Sequence, residues 1–145
     1  MAIELDHIRL ANRNHQLLTH LLQIGGYPDW VATVAFYKAV HVVEALFAAN
    51  MGRHSISHAD REATLKTAIF KNVWKDYSHL ATASRVARYL EASNAGVFSN
   101  FADFMGEEDV KRLVRKRLFG VEQRSLAFLS DPARNALMKV DPATV

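Results

Sequence analysis

The sequence predicts an all-α protein, an up-and-down helical bundle of four to five helices. Three observations carry that prediction. Apolar residues recur at helical spacing along most of the chain, and no stretch alternates as a half-buried strand would. The segment from Trp30 to Asn50 is apolar on nearly every side, as the central helix of a bundle must be. Glycine, proline and serine punctuate the chain only in short stretches, none long enough to divide its 145 residues into two domains. The expected organisation is one bundle over residues 1–130 and a weakly structured tail over 131–145.

The first helix is expected over about residues 4–24, with Leu10, Leu17, Leu21 and Ile24 on its apolar stripe and Gly25-Gly26 ending it. Pro28-Asp29 restarts the chain with Asp29 as N-cap, and the second helix runs to Asn50 or Met51 before Gly52. Phe36, Val40, Val43 and Phe47 form one of its stripes. Trp30, Val34, Tyr37, His41, Glu44 and Ala48 form another, at alternating steps of four and three. Ser57, with Asp60 three residues on, resembles a capping box. It opens a third helix that bends near Asn72 and continues as a fourth to about Ala92. Residues 93–106 read as a loop in which Phe98, Phe101 and Phe104 still need packing. The fifth helix, over about 107–129, is amphipathic through Val110, Leu113, Val114, Leu118 and Val121.

Composition excludes several chemistries. With no cysteine there is no disulfide, no thiolate zinc site and no cysteine nucleophile. The first ten residues carry two acids and no apolar core, unlike a signal peptide. The longest apolar stretch is interrupted at Lys38, His41 and Glu44, so no membrane span is expected and the expected location is cytoplasmic. A net charge of +3 is compatible with nucleic acid without arguing for it.

Placing Lys38, His41 and Glu44 in a core helix costs free energy unless each finds a partner. Tyr37, His41 and Glu44 share one face, which makes them either a structural network or the lining of a pocket. Glu44 is expected to be ionised and paired with Arg85 or Arg88 of the fourth helix. His58 sits at a helix start, where the dipole favours neutral imidazole, the form a general base or metal ligand needs. Arg53, His54 and Arg61 crowd the same segment. Arg85, Arg88 and Tyr89 share a helix face suited to a phosphate or a stacked base. The basic run from Lys111 to Arg117 reads instead as a solvated face. There Glu107 and Glu108 pair with Lys111 and Arg112, and only Arg115, Lys116 and Arg117 stay unmatched.

The stretch from Phe36 to His58 resembles the HEPN superfamily. Its small prokaryotic members carry a helix of the form Y-x-A-x-H-x-x-x-A-L, then a glycine and a turn ending in S-H or T-H. Tyr37, Ala39, His41, Ala45, Leu46, Gly52, Ser57 and His58 stand at those positions, and Arg85, Arg88 and Tyr89 loosely match a later arginine–aromatic pair. The resemblance covers roughly residues 27–91. It implies an all-α homodimer that binds RNA or a nucleotide, and in the catalytic members a metal-independent ribonuclease of toxin or defence type that needs no cofactor. An antitoxin or nucleotidyltransferase is the implied partner. Arg53 and His58 fit the family's arginine-to-histidine spacing, with His54 directly after the arginine. The nucleases, however, usually carry that motif on a late helix rather than in a turn.

On this reading His58 is the base, Arg53 the phosphate clamp and His41 a second catalytic candidate. Tyr37, Glu44, Arg61, Arg85, Arg88 and Tyr89 would contact the substrate. Two other classes stay open: a metal-binding bundle using His41, Glu44 and His58, and a non-catalytic dimeric partner module.

Overall fold

The computed structural model describes residues 3–145; Met1 and Ala2, which the predicted domain includes, lie outside the described residues. The class is all-α. In chain order it holds α1 (Glu4–Ile24), α2 (Pro28–Met51), α3 (His58–Leu65), α4 (Lys71–Tyr89), α5 (Glu107–Arg112), α6 (Phe119–Ser125) and α7 (Asp131–Ala136). A π turn (Leu113–Leu118) joins α5 to α6, so 107–125 is one unbroken helical rod. The predicted fifth helix therefore ends sooner, passing into a 3-10 turn at Leu126–Phe128. Residues 93–106 are not wholly loop. Glu91↔Val97 and Ala92↔Gly96 form a two-residue antiparallel ladder, a strand pair that the sequence did not predict and that is too short to alter the class. Phe98 and Phe101 both pack on Phe104.

α2 is the core. It packs most extensively on α1, then on α4 and the 107–125 rod. Phe36, Val40, Val43 and Phe47 are all buried, as their spacing predicts. Pro28 opens α2, Asp29 falls in its first turn rather than at the cap, and Gly52 ends it with φ +63°. By length and composition α2 could cross a membrane, contrary to the sequence expectation, yet 78% of that apolar window is buried against the other helices.

Two further expectations fail. The buried side of α1 carries His7, Ile8, Ala11 and Leu18, whereas Leu10, Leu17 and Ile24 are exposed. Ile8, Ala11 and Leu18 supply the apolar contact there, with Leu21 packed at its edge, and His7 and His15 on the same side meet His41 and Lys38 of α2. Nor is the tail weakly structured. Ser130 caps α7 by accepting from Ala133 N, and Leu137 and Val140 are buried.

What holds the tail is a closed polar centre. Lys38 and Glu122 have fully buried side chains with Nζ 2.5 Å from Oε2. Nζ also donates to the Met138 carbonyl at 2.8 Å and meets His15 Nδ1 at 2.8 Å. The other Glu122 oxygen accepts from Val140 N at 2.7 Å. Burial pushes Lys38 down and Glu122 up, and each opposes the other's shift. Beside Lys38 and half-buried, His15 is pushed down to about 4, so it accepts from the ammonium as neutral imidazole.

The basic run is more committed than its spacing suggests. Arg117 and Arg124 both pair with buried Asp76 of α4 at 3.1 Å, and Arg115 donates to the Val145 carbonyl. Lys111 and Arg112 pair at i,i+3 with Glu108 and Asp109 rather than at i,i+4 with Glu107 and Glu108. Asp76 lies so close to Gly120 that a Cβ there would overlap its carboxylate.

Candidate functional site

A second polar centre lies further along α2, where α1, α3 and α4 converge. Glu44 is buried, and both its oxygens are engaged by Ser55: Oε1 accepts from the backbone N–H at 2.6 Å and Oε2 from the hydroxyl at 2.8 Å. Its cation is Arg61 of α3, with Nε 3.5 Å from Oε2. The expected partners, Arg85 and Arg88, do not reach it. The turn after Gly52 folds back over α2 and brings α3 inward, so the nearest guanidinium comes from α3 rather than α4.

Arg61 is itself buried. Its Nη1 donates to His58 Nδ1 at 2.7 Å, and it lies beside the Tyr77 hydroxyl, which burial pushes up to about 12. Glu44 and Arg61 therefore brace the site internally instead of facing a ligand. A chain of bonds runs from Glu44 through Arg61 to His58, which is exposed on the first turn of α3. Partial burial and the nearby Arg61 and Arg88 charges lower the pKa of His58. Because Nδ1 accepts from a guanidinium, the neutral ring carries its proton on Nε2 and presents a donor outward.

Ser57 caps α3 as predicted, accepting from Asp60 N at 3.0 Å. The Asp60 carboxylate instead accepts from Ile56 N at 3.0 Å and pairs with Arg53 at 3.2 Å. Arg53, which also reaches Thr64 Oγ1, is thus turned along α3, while His58 is turned to Arg61.

His41 Nδ1 faces His7 Nδ1 of α1 at 3.3 Å, and the rings stack with centroids 5.5 Å apart; His54 lies 5.8 Å from His7. Burial, with His7 and Arg61 adding to it, pushes His41 down to about 4, and burial also lowers His7. His7, Ser55 and Tyr77 escape a sequence reading; only the polar character of Ser55 in the turn after a buried acid hints at its role.

At the outer edge lies Arg88. Its Nε donates to the Ser84 hydroxyl at 3.2 Å, and its guanidinium lies over the rings of Phe36, Tyr37 and Tyr89 at 5.8, 5.8 and 5.1 Å. Arg85 lies over Tyr89 at 5.5 Å. Neither arginine pairs with a carboxylate among the described residues. The structure thus brings Tyr37, His58, Arg85, Arg88 and Tyr89 to one outer face, with Arg61 and Glu44 beneath it. His41 belongs to the histidine cluster and Arg53 to the flank of α3.

The alternative metal set does not assemble. Glu44 is consumed by Ser55 and Arg61, His41 faces His7, and His58 faces Arg61. Among the described residues no three histidine or carboxylate groups gather as metal ligands. In comparisons with known proteins, no family model, no curated protein and no solved structure matches this chain.

Proposed function

We propose that this chain binds RNA or a nucleotide through the outer face of Tyr37, His58, Arg85, Arg88 and Tyr89, and binds without cleaving. The observation that carries the reading is Arg88. Its guanidinium lies within 5.8 Å of three aromatic rings, is anchored through Nε to buried Ser84 and pairs with no carboxylate among the described residues, so its remaining N–H groups are free for a phosphate. The outward Nε2–H of His58 supplies a second donor, and Tyr37 and Tyr89 are rings against which a base can stack. Cleavage would need a free basic nitrogen. The His58 lone pair is occupied by Arg61, and Arg53 is engaged by Asp60.

The dimeric partner reading gains one observation of its own. Ile3, Leu10, Leu17 and Ile24 are between 42% and 58% exposed and follow at steps of seven along α1. They form one exposed apolar row, a surface on which a second copy of the chain could seat.

Titrating labelled single-stranded RNA and reading anisotropy tests the proposal. The wild type should bind with or without a chelator and leave the RNA intact, and Arg88→Ala should weaken binding roughly tenfold or more. Absence of binding, or an Arg88→Ala affinity equal to wild type, would overturn it. Chelator-resistant cleavage lost in His58→Ala would restore the catalytic form.

A further inference from the structure

A groove of about 520 Å³ opens between α4 and the 107–125 rod, with Lys75 and Asp76 on one wall and Lys116, Arg117, Gly120 and Arg124 on the other. Arg117, Gly120 and Arg124 follow at steps of three and four, so they share the side of the rod that meets α4. Gly120 leaves a gap between the two arginines, and the buried Asp76 carboxylate occupies it. There Oδ1 accepts from Arg117 Nη1 and Oδ2 from Arg124 Nε, each at 3.1 Å. Two guanidiniums thus converge on one carboxylate and are fixed by it. Lys116 and Arg117 belong to the π turn at Leu113–Leu118, and π turns within helices frequently mark functional sites.

Among the described residues Asp76 is the one carboxylate lining this groove, against four cations, which leaves an excess of three positive charges. Lys75 and Lys116 pair with no carboxylate among the described residues. Each arginine gives Asp76 a single N–H, so the rest of each guanidinium is left for another acceptor. The positive field reaches His79 of α4, whose pKa is lowered by partial burial and then by Arg117 and Lys116. Holding four like charges in one groove costs self-repulsion that a single carboxylate offsets only in part. A bound polyanion would offset the remainder. Guanidiniums match phosphate oxygens through paired N–H groups, ammonium groups add point charges, and a cavity of this size lies in the range of small-molecule sites.

We propose that this groove binds a polyphosphate group, held by the free N–H groups of Arg117 and Arg124 and by the ammonium groups of Lys75 and Lys116. The site shares no residue with the outer face, goes beyond the RNA reading and does not depend on it.

Isothermal titration calorimetry at low salt compares inorganic tripolyphosphate, adenosine and uridine triphosphates, and citrate. Removing Arg117 or Arg124 would take a cation from buried Asp76 and endanger the fold. The diagnostic variant is therefore Lys75→Gln with Lys116→Gln, two exposed side chains. Tripolyphosphate should bind saturably, roughly tenfold or more tighter than citrate, and should lose roughly tenfold or more in that variant. The variant's urea melt should match wild type, and Arg88→Ala should leave tripolyphosphate binding unchanged. Nucleoside triphosphates bound no tighter than tripolyphosphate would support an inorganic chain as the ligand. Tighter binding that the lysine variant also loses would support the phosphate chain of a nucleotide. No saturable tripolyphosphate binding would overturn the proposal, as would equal binding in the lysine variant, loss in Arg88→Ala, or citrate bound as tightly. Single-stranded RNA that loses affinity in the lysine variant while tripolyphosphate stays unbound would also overturn it, and would make this face a nucleic-acid surface.

Discussion

α2 carries two polar centres six residues apart, and they end differently. Around Lys38 every polar atom meets another inside the protein: Glu122 from α6, His15 from α1, and backbone groups of Met138 and Val140. Around Glu44 the bonds lead outward through Arg61 to His58 on the surface, next to Arg88, which pairs with no carboxylate among the described residues. Both begin as a charged side chain in an apolar helix, so the charge alone does not mark a site. What separates them is where the hydrogen bonds finish. A closed centre fixes the tail; an open one holds a donor toward solvent.

The largest effect should come from breaking the closed centre. Lys38→Met leaves Glu122 buried without its cation and should cost about 3–5 kcal/mol in a urea melt, while adding Glu122→Leu should recover much of that. A near-neutral single variant would mean that water reaches Glu122 and that the centre is not closed. Glu44→Ala should cost somewhat less, about 2–3 kcal/mol, because Arg61 and the Ser55 N–H lose their acceptor while Arg61 still reaches His58. If Glu44→Ala and Lys38→Met melted alike, the distinction between open and closed would lose its energetic basis.

Acid should act on both centres through their histidines. The folded pKa values of His7, His15 and His41 lie below the ordinary imidazole value, at about 4 for His15 and His41. Between pH 6.5 and 4 the unfolded chain therefore binds more protons than the folded one. Their contribution is complete above pH 6.5 and is lost as pH falls toward 4, by roughly 1 kcal/mol each for His15 and His41 after solvent screening, with His7 acting in the same direction. A melting midpoint that stays level from pH 7 to pH 4.5 would contradict this. The smallest stability effects belong to the outer face: His58→Ala, which strands one N–H of buried Arg61, should cost about 1 kcal/mol, and Arg88→Ala no more than about 0.5 kcal/mol.

Much of this was legible in the sequence, and the misses share a cause. The span of α1, the stop of α2 at Gly52 and the Ser57 cap follow from local rules that the residues themselves carry. The phase of α1 does not. His7 and His15 face inward because His41 and Lys38 wait on α2, and no periodicity within α1 reveals that. Lys38 in the middle of an apolar helix demanded a buried acid, and Glu122, set between Val121 and the end of the rod, was the one to suspect. The tail joins the centre through the Met138 carbonyl, which accepts from Lys38, and the Val140 N–H, which donates to Glu122, and no side-chain pattern announces either; hence the tail reads as unstructured. Glu44 in an apolar helix needs a cation, but that the cation is Arg61 rather than Arg85 or Arg88 depends on how the turn at 52–57 folds back.

The claim that the open centre is a phosphate-binding site is tested most directly by the salt dependence of RNA binding in wild type and Arg88→Ala. Each phosphate contact to a single strand contributes about 0.7 to the slope of log K against log salt. Arg88→Ala should lower that slope by about 0.7 along with the affinity, while the urea melt shifts by no more than about 0.5 kcal/mol. Equal slopes and equal affinities in the two proteins would contradict it.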